Sequence, residues 1–190
     1  MTGTLIFVVG PSGVGKDTLL DGARVAFSKD PRVHFLRRDI TRPASAGGED
    51  HNPVTVEQFE ANRAIGAYAL TWDAHDLRYG LPKSELAPLE RGTSVIANGS
   101  RSVLELARNQ FDRLAIISVM AEETLLRSRL MQRGRETQKD IEQRIARATA
   151  FQVAGDNVTT FLNNDSVEVG IARFSRLIEN LHKNRMYADL

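Results

Sequence analysis

The chain has 190 residues, 42% hydrophobic and 26% charged, with a formal net charge of +1. That is an ordinary globular balance, and it suggests one domain spanning 1–190 with no general affinity for nucleic acid. Cysteine is absent, which excludes disulfides and thiolate metal sites, and no apolar run is long enough to cross a bilayer.

The opening MTGTLIFVVG lacks the basic flank of a signal peptide, so a soluble, cytoplasmic protein without membrane contact is expected. Within it TLIFVV (4–9) reads as a buried strand, and KDTLLDGARVAF (16–27) as a helix with Leu19, Leu20, Ala23 and Phe27 at helical spacing. VHFL (33–36) is a second strand, and RPASAGGEDHNP (42–53) is a loop rich in turn formers. A helix over 56–66 and a strand over 68–72 follow, then a strand over 94–97. SRSVLELARNQF (100–111) is a helix that Ser100 or Ser102 caps. LAIISV (114–119) is again a buried strand. Two helices over 122–133 and 138–152 break at Gly134. The last helix, 167–183, carries Val167, Ile171, Phe174, Ile178 and Leu181 on one stripe. Strands alternating with helices predict an α/β fold with a mostly parallel sheet flanked by helices.

Between the first strand and the first helix stands GPSGVGKDT, in which Gly10, Gly15 and Lys16 satisfy the phosphate-loop spacing G-x-x-x-x-G-K. Such a loop points backbone N–H groups at phosphate oxygens, and the helix N-terminus adds positive potential. Gly10, Pro11, Ser12, Gly13, Val14, Gly15, Lys16, Asp17 and Thr18 are therefore expected to hold ATP, with Lys16 reaching the transferred phosphate. Asp17 departs from the pattern, which has a Mg²⁺-binding hydroxyl there. Asp17 is a hard oxygen ligand in its own right, and Thr18 restores a hydroxyl one position later, so both are candidates for the metal.

Arginine outnumbers lysine 20 to 5. Residues 127–147 hold six of these arginines: Arg127, Arg129, Arg133, Arg135, Arg144 and Arg147. Arg129 and Arg133 share a helix face, and Thr137 with Asp140 forms a capping pair for the following helix. A helical, arginine-rich lid over roughly 122–150 is expected, closing on the phosphates and excluding water. Arg133 and Arg144 join Lys16 as candidate catalytic residues, with Arg129 as a further nucleotide contact.

In order along the chain, GPSGVGKDTLL, ITRPASAGGE, YGLPKSEL, RLMQRGRET and FLNND resemble the guanylate-kinase-like branch of the P-loop nucleoside kinases over almost the full length. The resemblance implies that the region over 37–83 binds a phosphorylated acceptor through Arg42 and Tyr79, and that the lid and Asn164 contact ATP. The guanylate kinase pattern also has a second arginine after Thr-Arg, a phosphate-gripping tyrosine, a guanine-reading glutamate and an acidic strand end. Here the second arginine is missing, and the other three positions fall at His51, Thr71 and ANGSR (97–101). The set DITRPASAGGEDH, LTWDAHDLRYG, VIANGSR, RGRE and LNND is similar to the ribose 1,5-bisphosphate phosphokinases of phosphonate degradation. Those enzymes use ATP to make 5-phosphoribosyl 1-diphosphate (PRPP). A small bisphosphorylated sugar needs cations and hydroxyl-reading groups. Arg37, Arg38, Arg42, His51, Arg78, Lys83 and Arg101 are candidates for the first role, Asn98 and Ser100 for the second, while Trp72 reads as core. Plain guanylate kinase activity, or a catalytically silent binding module, are the alternatives.

Overall fold

Alternate residues of the first strand, β1 (Leu5–Val9), face two different apolar cores, which anchors the loop that follows from both sides. Leu5, Phe7 and Val9 enter one core, and Ile6 and Val8 the other, the two-residue period of a strand buried on both faces. The computed structural model describes residues 3–46, 49–132, 137–150 and 153–186, with backbone alone at 147, 149, 150 and 184–186. In it β1 is the middle strand of a five-stranded sheet, in the order β2 (Val33–Phe35), β7 (Ser94–Asn98), β1, β8 (Leu114–Met120), β9 (Val158–Leu162). Every pairing in this sheet is parallel. Helices α1 (Lys16–Ala26) and α7 (Val167–Met186) cover the Ile6–Val8 face, and α4 (Leu104–Gln110) covers the other. The expected α/β architecture is present. The strand order reverses beside β1, and open α/β sheets bind ligands in the crevice outside the strand ends at such a point.

A second sheet packs its apolar side into the core that holds Phe7. Its order is β4 (Asn52–Pro53), β3 (Asp39–Ile40), β6 (Leu77–Pro82), β5 (Tyr68–Ala74), and it contributes Ile40, Leu70, Trp72, Tyr79 and Leu81. The strand read at 68–72 thus belongs to an antiparallel hairpin instead of the parallel sheet, and its partner β6 escapes the sequence. The turn between them is His75–Asp76, with φ of 53° and 59°. Two successive positive φ values belong to a type I′ hairpin turn, here built without the Asn-Gly pair that usually signals it. Loop 42–53 carries a 3₁₀ turn (Ala44–Ala46) and ends in β4. The helix expected over 100–111 is split into a 3₁₀ turn (Arg101–Val103), capped by Ser100, and α4.

Helices α2 (Val56–Ala64) and α3 (Lys83–Leu86) flank the second sheet. Helices α5 (Glu123–Gln132) and α6 (Gln138–Ala150) pack on each other through Leu126, Leu130, Ile141, Ile145 and Ala148. Thr137 and Asp140 cap α6 reciprocally, as expected: Asp140 N–H donates to Thr137 Oγ1 at 3.3 Å and Thr137 N–H to Asp140 Oδ2 at 3.1 Å. The break at Gly134, with Arg133 and Arg135, lies outside the described residues, as does the side chain of Arg147. On α7, Phe174 and Ile178 are fully buried and Ile171 and Leu181 pack beside them, whereas Val167 is exposed at the helix start.

Helix α1 lies so close to α7 that a Cβ built on Gly22 meets Ile171 Cδ1 at 2.4 Å. Replacing a mid-helix glycine by alanine ordinarily stabilises by about 1 kcal/mol. At Gly22 the clash outweighs that gain. Gly22→Ala is expected to destabilise by about 1–3 kcal/mol in urea unfolding, and Gly22→Ala with Ile171→Ala to recover part of the loss.

Candidate active site

The loop after β1 arrives at the sheet's switch point with a backbone that glycine alone adopts readily. Gly13 and Gly15 have φ of 90° and 94°, a backbone that side chains rarely adopt. Space forbids a side chain too: a Cβ on Gly13 meets Leu130 Cδ2 at 2.6 Å, and one on Gly15 meets Asn163 Nδ2 at 2.7 Å. Gly15 is the N-cap of α1 and no side chain caps the helix, so its first-turn N–H groups are presented to an anion. Lys16 Nζ donates to the carbonyls of Gly10 at 2.9 Å and Pro11 at 3.1 Å, folded over the same spot. Desolvation by burial lowers the Lys16 pKa to about 8, and the nearby Arg38 and Arg101 charges act in the same direction.

Beside the loop opens a cleft of about 370 Å³ lined by Gly13, Gly15, Thr18, Arg129, Gln132, Asn163 and Asp165, among others. Its size and its position next to the loop suit the nucleoside end of a nucleotide. Helices α5 and α6 grip the loop directly. Arg129 Nη1 donates to Val14 O at 3.2 Å, and Arg144 Nη1 to Ser12 Oγ at 2.9 Å. Arg127 is turned away, bound to Glu123 at 3.1 Å and to Glu142, so it ties α5 to α6 instead. The sequence pointed to Asn164, but Asn163 is the asparagine that holds the loop, donating to Val14 O at 2.8 Å. Asn164 is engaged with Glu122 at the mouth of a different pocket.

Asp17 and Thr18 diverge. Thr18 faces the nucleotide cleft, whereas Asp17 Oδ1 accepts from Asn98 Nδ2 at 3.2 Å on the side of the second sheet. Among the described residues no set of three acidic, His or Cys side chains is gathered for a metal. A carboxylate in the first turn beside a phosphate loop nonetheless fits Mg²⁺, which takes one or two protein carboxylates and completes its shell with phosphate oxygens and water.

Across the loop, Asn98 at the end of β7 also donates to Glu49 Oε2 at 2.9 Å. Glu49 pairs with Arg38, which is 7% exposed and lies over the rings of Tyr79 and Trp72, 5.0 and 5.4 Å from their centroids. Those two rings stack at 5.4 Å with 2° between their planes. Trp72 is core, as expected, and is also the platform for Arg38. Arg42 Nη2 lies 3.4 Å from His51 Nδ1. The Nε atoms of Arg38 and Arg42 and Oδ1 of Asn98 are buried without a hydrogen-bond partner.

His51 was expected to grip phosphate. Its ring is buried, with Nδ1 2.9 Å from Glu49 O and Nε2 3.1 Å from Arg42 O, so it clasps the two ends of the 42–51 loop. Arg78 is bound to Glu60 at 2.7 Å, and Arg37 to Asp50 at 3.0 Å. Lys83 lines a separate polar pocket with Asp39 and Tyr68. Ser100 Oγ is engaged with Ser102. Arg101 stands at the strand ends, partly desolvated, which lowers its pKa.

No protein-family model matches the chain. The ribose 1,5-bisphosphate phosphokinase PhnN of Agrobacterium fabrum is 46% identical over 165 residues, covering 86% of this chain and 90% of that protein. The chain belongs to the ribose 1,5-bisphosphate phosphokinase family. Its relative of the same name from Rhizobium etli is 44% identical over 180 residues, 94% of this chain and 91% of that protein. The bifunctional ribose 1,5-bisphosphokinase–thymidine phosphorylase of Cupriavidus necator is 46% identical over 173 residues, 91% of this chain but 28% of that protein. The chain therefore spans under a third of the length of such bifunctional relatives. A solved guanylate kinase from Anaplasma phagocytophilum has a TM-score of 0.65 at 20% identity, covering 97% of this chain and 87% of that one. It shares this chain's fold. No transmembrane-length apolar helix occurs among the described residues.

Glu49, Asn163 and the platform role of Trp72 are not legible in the sequence of this phosphokinase family member, although the Gly-Glu of the loop and the Asn-Asn pair were within the quoted segments. The lowered pKa of Lys16 sets a pH dependence. Bound phosphate oxygens favour the ammonium, so above about pH 8 binding must take up a proton and weakens as pH rises. Calorimetric titration of ADP in buffers of different ionisation enthalpy should show proton uptake above about pH 8 and none well below it. Lys16→Met should abolish that uptake.

Proposed function

We propose that the chain transfers the γ-phosphoryl group of ATP to the 1-phosphate of ribose 1,5-bisphosphate, giving PRPP and ADP. The observation that carries this is the character of the acceptor side. It offers the guanidinium groups of Arg38 and Arg42, whose buried Nε atoms have no partner, and its strand end, ANGSR, has no carboxylate for a purine. Guanine's N–H donors would face Thr71 and this segment without a carboxylate. Each buried donor left unpaired costs about 1–3 kcal/mol, so two or three disfavour GMP by orders of magnitude. A bisphosphorylated sugar has no such donors and brings anionic groups to arginine.

ATP, when bound, supplies the phosphoryl group, and Mg²⁺ offsets the charge on its phosphates. The loop amides from Gly13 to Thr18 and Lys16 would hold the β- and γ-phosphates, and Asp17 would be the protein's metal ligand, with Thr18 lining the cleft beside the loop. Arg129 and Arg144 bring positive charge from the lid to the loop's outer side. Arg38, Arg42 and Tyr79 receive an acceptor phosphate, and Asn98 offers an amide to a sugar hydroxyl. No general base is required, since the acceptor phosphate is already ionised. The remaining task is alignment and charge stabilisation.

ADP release should be measured with ribose 1,5-bisphosphate, with GMP and with no acceptor. Turnover with the sugar bisphosphate, and kcat/KM for GMP lower by orders of magnitude, is the expected result. Comparable values for the two would overturn the proposal in favour of guanylate kinase, and no turnover with either would favour a silent module. Arg42→Ala should raise the KM for the acceptor by at least about tenfold while the KM for ATP moves little.

A further inference from the structure

Arg38 is buried, always charged and surrounded by aromatic faces, so its charge must be matched locally. Glu49 supplies the match. Its carboxylate receives Arg38 and, at 2.9 Å, the amide of Asn98, an oxyanion held by a guanidinium and an N–H donor. Those same donor types would receive a phosphate oxyanion. We infer that Glu49 is an internal stand-in for the acceptor's phosphate, which binds by displacing Glu49 from Arg38, making Glu49 a specificity-determining residue. The inference rests on the acceptor side proposed above.

The surroundings restrict the exchange to one side chain. On the C-terminal side of Glu49, Asp50 is fastened to Arg24 at 2.5 Å and to Arg37 at 3.0 Å. His51 clasps the carbonyls of Glu49 and Arg42. With the backbone held at these points, the carboxylate leaves Arg38 by rotating its own side chain.

An incoming anion has to compete with a carboxylate tethered beside its site, whose effective concentration is high. A neutral sugar leaves the Arg38–Glu49 pair closed, and a singly charged group gains little by replacing another single charge. A doubly charged phosphate gains from the exchange. Glu49 thereby selects phosphorylated acceptors by the charge they carry, at the expense of raw affinity.

Inorganic phosphate, at fixed ionic strength, is the probe. It should be titrated by calorimetry and thermal shift into the parent chain, into Glu49→Gln, and into Glu49→Gln combined with Arg38→Gln. Glu49→Gln is expected to melt below the parent without phosphate, yet to bind phosphate on the order of tenfold more tightly. The gain should vanish in the double variant, which separates this site from the phosphate loop. If Glu49→Gln folds only when phosphate is present, Glu49→Asp, with a shorter reach to Arg38, should show a smaller gain of the same sign. Phosphate affinity unchanged or weakened in Glu49→Gln or Glu49→Asp would overturn the inference and leave Glu49 as a clamp for Arg38. A gain that persists without Arg38 would overturn it as well. Because the probe is phosphate alone, these outcomes are independent of which acceptor is turned over. Failure of ribose 1,5-bisphosphate as substrate would sink the proposed reaction and leave the exchange standing.

Discussion

A loop that binds phosphate through its N–H groups must leave those groups unbonded within the protein, and then something else has to hold the loop in shape. In this chain the holding is done from the other side of the peptide. Lys16 bonds the carbonyls of Gly10 and Pro11, Asn163 and Arg129 both bond the carbonyl of Val14, and Arg144 bonds the hydroxyl of Ser12. Each of these side chains is a donor, and each uses an acceptor on the loop. The first-turn amides of α1 are not capped by any side chain, which leaves them for an anion. An anion site built in this way is preorganised, since its donors already point where negative charge will arrive.

Much of the architecture follows from placing that loop. Strand β1 is fixed by cores on both of its faces, and α1 is fixed by its close approach to α7. The loop between them has its two ends anchored before any ligand is considered. The second sheet packs against the same core as Phe7, so Arg38, Tyr79 and Trp72 are set relative to the loop through buried apolar contact. Asn98 completes the link with one amide shared between Asp17 in the first turn of α1 and Glu49 in the loop before β4.

What was legible in the sequence divides by distance along the chain. The phosphate loop, the parallel strands and the Thr137–Asp140 cap are local patterns, and local physics sets them. The hairpin of β5 and β6 was half missed because His75 and Asp76 adopt left-handed backbone without glycine. For the acceptor candidates a cation's availability depends on partners far away, which the sequence does not show: Arg78 is paired with Glu60, and His51 with two carbonyls. Asn163 and Asn164 are adjacent and chemically identical, and only the end of β9 decides which one turns toward the loop. Arg133 and Gly134 lie outside the described residues.

The carbonyl of Val14 accepts from Arg129, 115 residues later, and from Asn163, 149 residues later. In the order of synthesis, this loop leaves the ribosome well before the donors that shape it. Contacts of such long sequence separation are closed late in folding, because their loop-closure entropy must first be met by the cores between them. A growing chain released before β9 carries the complete phosphate-loop sequence without the asparagine that holds its backbone in place. The nucleotide site is therefore a property of the finished fold, although its motif is the first thing the sequence announces.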